Sequence, residues 1–348
     1  MINNLFNYAT SELSQDAFLC WLMSYALKNS NKDDGLRNCT VNLIKAIIPE
    51  LSCSDDEIFV TEITRQHKNI DILFTVNDEY VVIVEDKVHT SEHDDQLERY
   101  SQEITVDENY EKYEQRKVFY KTGFQSDIDN IRNAGYTFIG LDEIIGFLAP
   151  YKTQTVNQIF QDYISYLENS REKANEYKHL HIEEWERNHI FRFCSDFQKS
   201  SLLSQTGFSA NYGDVSNPGG GFIAMWISDG NTSWYKNQEY ELYIQLEFIN
   251  GKLQLCLKVS IMNATEISSD ARRQLRDYLT YYADSSNNWI YALSEFGYSR
   301  PARFGNGVSM TIGVVQVEVD SWREIENYVL NAINSFPEIR NSIDARIN

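Results

Sequence analysis

Proline, glycine and cysteine are scarce in this chain and basic residues are outnumbered, and each shortage closes off a class of protein. The 348 residues include only 5 prolines and 16 glycines, too few for a collagen-like chain or a long disordered one. The five cysteines (Cys20, Cys39, Cys53, Cys194 and Cys256) are odd in number, scattered, and without a CxxC pair. That usage suits reduced thiols and gives no thiolate zinc site. No apolar run reaches the roughly 18 residues a bilayer span requires, so no membrane association is expected. The opening Met1-Ile2-Asn3-Asn4 has no basic region ahead of an apolar core, so no secretory signal is expected and a cytoplasmic location is. Lysine and arginine number 31 against 51 acidic residues, a net charge of −20. Broad, non-specific nucleic-acid binding relies on cations neutralising phosphates, and this balance argues against it. A local basic groove is still compatible with that total.

What is present is the composition of an ordinary globular protein, 42% apolar and 24% charged, long enough for two domains with a core each. Residues 12–27 show helical spacing, with Leu13, Ala17, Cys20, Trp21, Ser24 and Leu27 on one stripe and Ser11 or Ser14 as the start signal. A second helix is expected over 36–48, ending at Pro49. Residues 57–65 and 69–76 read as strands, Asn77-Asp78-Glu79 as a hairpin turn, and the β-branched run 80–84 as a central strand buried on both faces. Thr90 and Ser91 are N-caps for a helix over about 92–104. Strands over 117–121 and 136–140 and helices over 141–148 and 156–167 follow. Residues 169–179 are polar, a linker or a solvated helix. Beyond them come a helix over 183–199, a glycine-rich break at 217–221, and an antiparallel meander over 222–228, 240–249 and 253–261 turning at Asn250-Gly251. A helix over 271–282, a strand over 310–319 and a helix over 322–333 complete the reading. The expected organisation is a domain over 1–175 and a smaller α+β domain over 176–348.

The chemistry concentrates in one hairpin. Asp71 stands near the start of one strand; Glu85 and Lys87 stand near the end of the next, two residues apart and so on one face of the sheet. Antiparallel pairing through Asn77–Glu79 brings the start of the first strand beside the end of the second. Two carboxylates and an ammonium therefore converge. Converging carboxylates repel, and a hard divalent cation relieves the repulsion. Such a cation lowers the pKa of a bound water and stabilises charge on a phosphate, while Lys87 is suited to orient the water or balance that charge.

The pattern Ile70-Asp71, thirteen residues, Glu85-Asp86-Lys87 resembles that of the PD-(D/E)XK nuclease superfamily, with Ile70 in place of the proline. The resemblance runs over roughly residues 1–170. It implies a restriction-endonuclease-like α/β fold, a mixed-sheet core flanked by helices, and metal-dependent hydrolysis of phosphodiester bonds in nucleic acid, DNA first. It implies Mg²⁺ or Mn²⁺ held by Asp71, Glu85 and the main-chain carbonyl of Asp86, with Lys87 assisting the nucleophile. Gln96-Leu97-Glu98-Arg99-Tyr100 looks like the Q-x-x-x-Y element of the RecB-like branch, which implies that Gln96 and Tyr100 position substrate or buttress the metal acids. Glu12-Leu13-Ser14-Gln15-Asp16-Ala17-Phe18 is similar to the first helix of uncharacterised bacterial members, where an acid, here Glu12, approaches the metal.

Two alternatives accompany this reading: the same fold kept as a catalytically silent interaction protein, and a zinc hydrolase. The second rests on His89-Thr90-Ser91-Glu92-His93, which matches H-x-x-E-H. That chemistry needs both histidines in mid-helix on one face, whereas Thr90 and Ser91 read as caps. Arg272, Arg273 and Arg276 with Tyr278 read as a solvated helix face rather than a phosphate contact, and Arg300 and Arg303, around Pro301 and Phe304, as solvated surface rather than a second basic patch. Trp226, Tyr281, Tyr282 and Trp322 read as core or interface aromatics. The segment from Glu85 to Arg116 carries 11 acidic and 4 basic residues, which attracts cations and repels a duplex. DNA would then enter against basic residues elsewhere, Lys117, Lys121 or the C-terminal arginines.

Overall fold

The computed structural model describes residues 3–30, 33–88, 96–126, 128–216, 221–236, 238–249, 251–262, 270, 273–275, 277–279, 298–299 and 309–344. The chain divides into two compact units, Met1–Lys173 and Ala174–Asn348.

In the first unit, β1 (Val60–His67), β2 (Ile70–Val76), β3 (Tyr80–Lys87), β4 (Glu114–Lys121) and β5 (Thr137–Ile139) form a five-stranded sheet in that order. The pairs β1/β2 and β2/β3 are antiparallel, and β3/β4 and β4/β5 are parallel. The switch falls on β3, whose eight residues are all buried. Residues alternate between faces in a strand, and the two cores divide accordingly. Ile72, Phe74, Val82, Val84, Val118 and Tyr120 pack with α1 (Glu12–Met23), α2 (Asp34–Ile47), α5 (Leu141–Leu148) and α6 (Gln158–Asn175). Leu73, Val81, Ile83 and Phe119 pack with α3 (Gln96–Thr105) and α4 (Ile128–Asn133). This is the mixed-sheet core flanked by helices that the resemblance implies.

The hairpin turn is built as its residue types demand. Asn77 and Asp78 adopt φ of 54° and 55°, a left-handed conformation these residues tolerate best after glycine. Glu79 N–H closes the turn on Val76 C=O at 3.0 Å. Asn77 is tied to Phe59 twice, accepting from its N–H at 2.8 Å and donating to its C=O at 3.0 Å.

The expected apolar stripe of α1 is corrected. Leu13 is 59% exposed and Ala17 is exposed, while Gln15, Asp16, Phe18, Leu19, Leu22 and Met23 are buried. The helix is turned so that two polar residues enter the interior, which hydrophobic periodicity alone discounts. Glu57, expected as the start of β1, closes a 3₁₀ turn over Asp55–Glu57 instead, since Ser54 and Glu57 cap it reciprocally, and β1 begins at Val60. The polar stretch after residue 169 continues α6 to Asn175.

In the second unit, antiparallel pairing orders β11 (Tyr298–Ser299), β12 (Ser309–Val317), β10 (Lys252–Ile261), β9 (Gln238–Ile249), β7 (Phe222–Ser228) and β6 (Ser209–Val215), and β8 (Thr232–Tyr235) pairs with β9. The helix α7 (Arg187–Gln198) contacts β6 and β7, and the final helix, α9 (Trp322–Asp344), contacts β9; α8 (Ser201–Ser204) is a single turn. Tyr177, Trp185, Phe193, Phe248 and Trp322 form an aromatic cluster with centroids 5.4–6.2 Å apart. Strands β6 and β8 were not expected from the sequence. Asp214 interrupts the apolar pattern of β6 and Thr232 and Ser233 that of β8, and both lie at the edges of the meander. The motif His89–His93, Arg272, Arg276, Arg300, Arg303, Tyr281 and Tyr282 lie outside the described residues. Among the described residues no helix is long and apolar enough to cross a membrane.

Candidate active site

The register of the hairpin sets the site. Ile72 pairs with Val84 and Leu73 with Ile83, so one step further along the ladder sets Asp71 against Glu85. Asp71, Glu85 and Lys87 share the face that packs on α3; Asp86 belongs to the opposite face, with Val82 and Val84. Glu85 is fully buried. Its Oε1 accepts from Lys87 Nζ and, at 2.8 Å, from Gln96 Nε2; its Oε2 is buried without a partner. Asp71 Oδ2 accepts from the main-chain N–H of Asp86 at 2.9 Å, and its Oδ1 from Gln66 Nε2 at 3.4 Å.

The remaining sequence-predicted residues reach the same corner. Glu12, in the first turn of α1, accepts from Val88 N–H at 3.1 Å. Gln96 donates to Tyr100 Oη at 2.7 Å as well as to Glu85, as helix neighbours four apart can. Tyr100 is buried in the α3-side core. The pair therefore buttresses Glu85 from within the core.

The electrostatics are those of a crowded anionic pocket. Burial raises the Glu85 carboxyl from its ordinary 4.5 to about 7, Asp71 adds to the rise, and Lys87 only partly offsets it. Burial pulls the Lys87 ammonium down, but Glu85, Asp71 and Glu12 outweigh that, and its pKa is raised. The ion pair is thus one-sided: Lys87 keeps its proton, whereas Glu85 releases its own only near neutrality.

On the α1 face a second polar cluster lies behind the first. Asp86 is fully buried; its Oδ1 accepts from Gln15 Nε2 and its Oδ2 has no hydrogen-bond partner. Asp16, also buried, holds Arg65 Nη2 at 3.7 Å through Oδ2 and leaves Oδ1 without one. Burial raises both carboxyls, Asp86 strongly; once one is protonated the two also share a side-chain hydrogen bond that lowers Asp16 and raises Asp86, as two acids sharing one proton do, and Asp71 raises both further. Sequence reasoning named Asp86 for its carbonyl alone and missed Gln15, Asp16 and Gln66. The signal for Asp86 was its place between Glu85 and Lys87, which turns its side chain to the other face. Gln15 and Asp16 gave no local signal, because Asp86 lies 71 residues from Gln15 along the chain.

The basic residues expected to admit DNA stand otherwise than expected. Lys121, paired in register with Lys87, is 1% exposed, and Lys117 donates to Ala134 C=O at 2.6 Å. Neither offers an exposed cationic surface.

No group of three or more His, Cys, Asp or Glu side chains among the described residues is arranged to hold a metal. Asp71, Glu85 and the Asp86 main-chain carbonyl could supply an all-oxygen donor set of another kind, suited to a hard cation that retains several waters. The orphaned Glu85 Oε2 is the structural mark that fits it, since a buried carboxylate oxygen without a donor is costly unless a cation or proton meets it.

A family model described as PD-(D/E)XK nuclease superfamily matches residues 1–195. The match extends past the first unit and takes in most of α7. No curated protein and no solved structure matches the chain.

Proposed function

Because the chain belongs to the PD-(D/E)XK nuclease superfamily, we propose that Asp71, Glu85 and Lys87 form a divalent-metal-dependent site that hydrolyses phosphodiester bonds, with DNA as the substrate. The observation that carries this reading is the buried, unpartnered Glu85 Oε2 beside Asp71 and Lys87. Asp71, Glu85 and the main-chain carbonyl of Asp86 would hold Mg²⁺ or Mn²⁺, with Glu12 close to the same corner. Bound there, the cation supplies Lewis-acid stabilisation of phosphate charge and lowers the pKa of a water.

The chain's own residues do the rest. Lys87, held in its charged form by three carboxylates, balances negative charge developing on the phosphate and donates to the attacking water. Gln96 keeps Glu85 Oε1 fixed, so that Oε2 is the oxygen left for the cation. Tyr100 in turn holds the Gln96 amide. The first-turn carboxylate of α1, Glu12, fastens the strand end through Val88 N–H.

The test is cleavage of linear and circular DNA by purified protein with Mn²⁺ or Mg²⁺, beside Asp71→Ala and Lys87→Ala. Cleavage by the parent chain that needs the metal and falls by at least 10²-fold in both variants is the expected outcome. Variants that fold and cut as fast as the parent would overturn the mechanism. A parent that cuts nothing and binds no metal would favour a silent member of the fold.

A further inference from the structure

We propose that Gln15, on the first helix, is a positioning residue for the metal-holding end of β3; this rests on the reading that Asp71, Glu85 and the Asp86 carbonyl hold the cation. Asp86 works on both faces of the sheet. On the α3 side its main-chain N–H holds Asp71 Oδ2 at 2.9 Å. On the α1 side its buried carboxylate is gripped by Gln15 Nε2. The orientation of that one peptide therefore couples a carboxylate of the site to a side chain that never reaches it.

The Gln15 amide is itself fixed. Its Oε1 accepts from Thr122 Oγ1 at 2.7 Å and from Tyr163 Oη at 3.4 Å, so the nitrogen end is the one that faces Asp86. Three elements, α1, the segment just after β4, and α6, converge on a single buried side chain. Reversing the amide would set its oxygen against the Asp86 carboxylate, lone pair to lone pair, a conflict that the rotatable Thr122 and Tyr163 hydroxyls at the other end cannot relieve. Burying an amide and a carboxylate is costly unless both are bonded, which makes this contact hard to relax.

The same helix holds the strand end a second time. Glu12 accepts from Val88 N–H at 3.1 Å, and Glu12 and Gln15 are three apart on α1, neighbours on its surface. One helical turn thus grips residues 86 and 88, on either side of Lys87. The clip fixes the peptides that flank Lys87, and Gln15 does its part without reaching the metal-holding side of the sheet.

The experiment uses the full chain and Mn²⁺ alone, titrated by calorimetry, with cleavage measured against Mn²⁺ concentration in parallel. Gln15→Met keeps the volume and removes the donor. Outer partners of metal ligands commonly govern affinity by roughly 10–100-fold, so a loss near tenfold is expected, with high Mn²⁺ restoring the rate. Thr122→Val frees the acceptor end only, and a smaller loss in the same direction is expected. Thr40→Val is the control: it removes a fully buried hydroxyl that donates to Leu22 C=O at 2.9 Å and Leu36 C=O at 2.8 Å and touches neither Gln15 nor its partners, so its Mn²⁺ affinity should equal the parent's. Unaltered affinity in a folded Gln15→Met overturns the proposal while the metal reading stands. So does an equal loss in Thr40→Val, which would mark general damage to the interior. Should Gln15→Met fail to fold, unaltered affinity in Thr122→Val overturns it. A parent chain that binds no Mn²⁺ overturns this proposal and the metal reading together.

Discussion

Replacing Glu85 by glutamine should stabilise the metal-free protein, and only above a defined pH. The carboxyl's pKa is raised from 4.5 in an unfolded chain to about 7 in the native one, burial being the largest cause and Asp71 the next. A carboxyl whose pKa is raised contributes with the opposite sign to the usual acid. Below 4.5 it is protonated in both states and costs nothing. Between 4.5 and 7 the native state retains a proton that the unfolded chain has released, so stability falls as pH rises; above 7 the loss is complete. At 1.36 kcal/mol per unit, the shift corresponds to about 3 kcal/mol. Glutamine mimics the protonated acid at every pH. The variant should match the parent near pH 4 and exceed it by about 3 kcal/mol at pH 8, both in EDTA. Asp16 and Asp86, whose pKa values are also raised, remain in both proteins and cancel in the difference. Hydrogen exchange at β3 amides in increasing urea reads the first unit without interference from the second. A difference that stays within about 0.5 kcal/mol from pH 4.5 to 8.5, the range of an inert surface substitution, would refute the reasoning.

Three further outcomes are expected. Because a cation must displace the Glu85 proton, apparent Mn²⁺ affinity should rise with pH up to about 7 and level off above it; calorimetry at pH 5.5, 6.5 and 8 would expose a flat profile. A Cβ on Gly123 would stand 2.0 Å from Val88 C=O, a main-chain atom at the strand end that Glu12 holds. Gly123→Ala should therefore cost about 2–4 kcal/mol in chemical denaturation and weaken cleavage as well, and a neutral result would contradict the packing described. Asp78 is exposed with φ 55°, so Asp78→Gly should be neutral or stabilising by about 0.5 kcal/mol, where glycine elsewhere in a strand is destabilising; a drop in melting temperature would count against the turn.

The acids and the lysine were legible because a hairpin has a period of two and a turn of known residue types. Those two facts set Asp71 opposite Glu85, and the ladder has that register. The family resemblance supplied the chemistry of the arrangement, and the match over residues 1–195 bears that resemblance out. The interior behind the site was not legible. Gln15 and Asp16 break the apolar stripe of α1, so a search for hydrophobic periodicity selected Leu13 and Ala17 and turned the helix the wrong way. The residue that justifies burying them, Asp86, lies far along the chain, and only the folded sheet brings it near. Lys121 misled for the same reason: a lysine reads as surface until the strand that carries it is known to end in the interior.

The Asn77–Asp78 turn begins six residues from Asp71 along β2, roughly 20 Å at a strand's rise per residue. It touches no group of the site, yet it acts as the site's gauge. A slip of one residue between β2 and β3 would exchange the faces, carrying Glu85 and Lys87 to the α1 side and Asp86 to the α3 side, with every side chain of the site still present in the chain. On the proposed mechanism, an insertion at the tip of this turn that shifted the pairing by one residue would cost the site as much as losing a carboxylate.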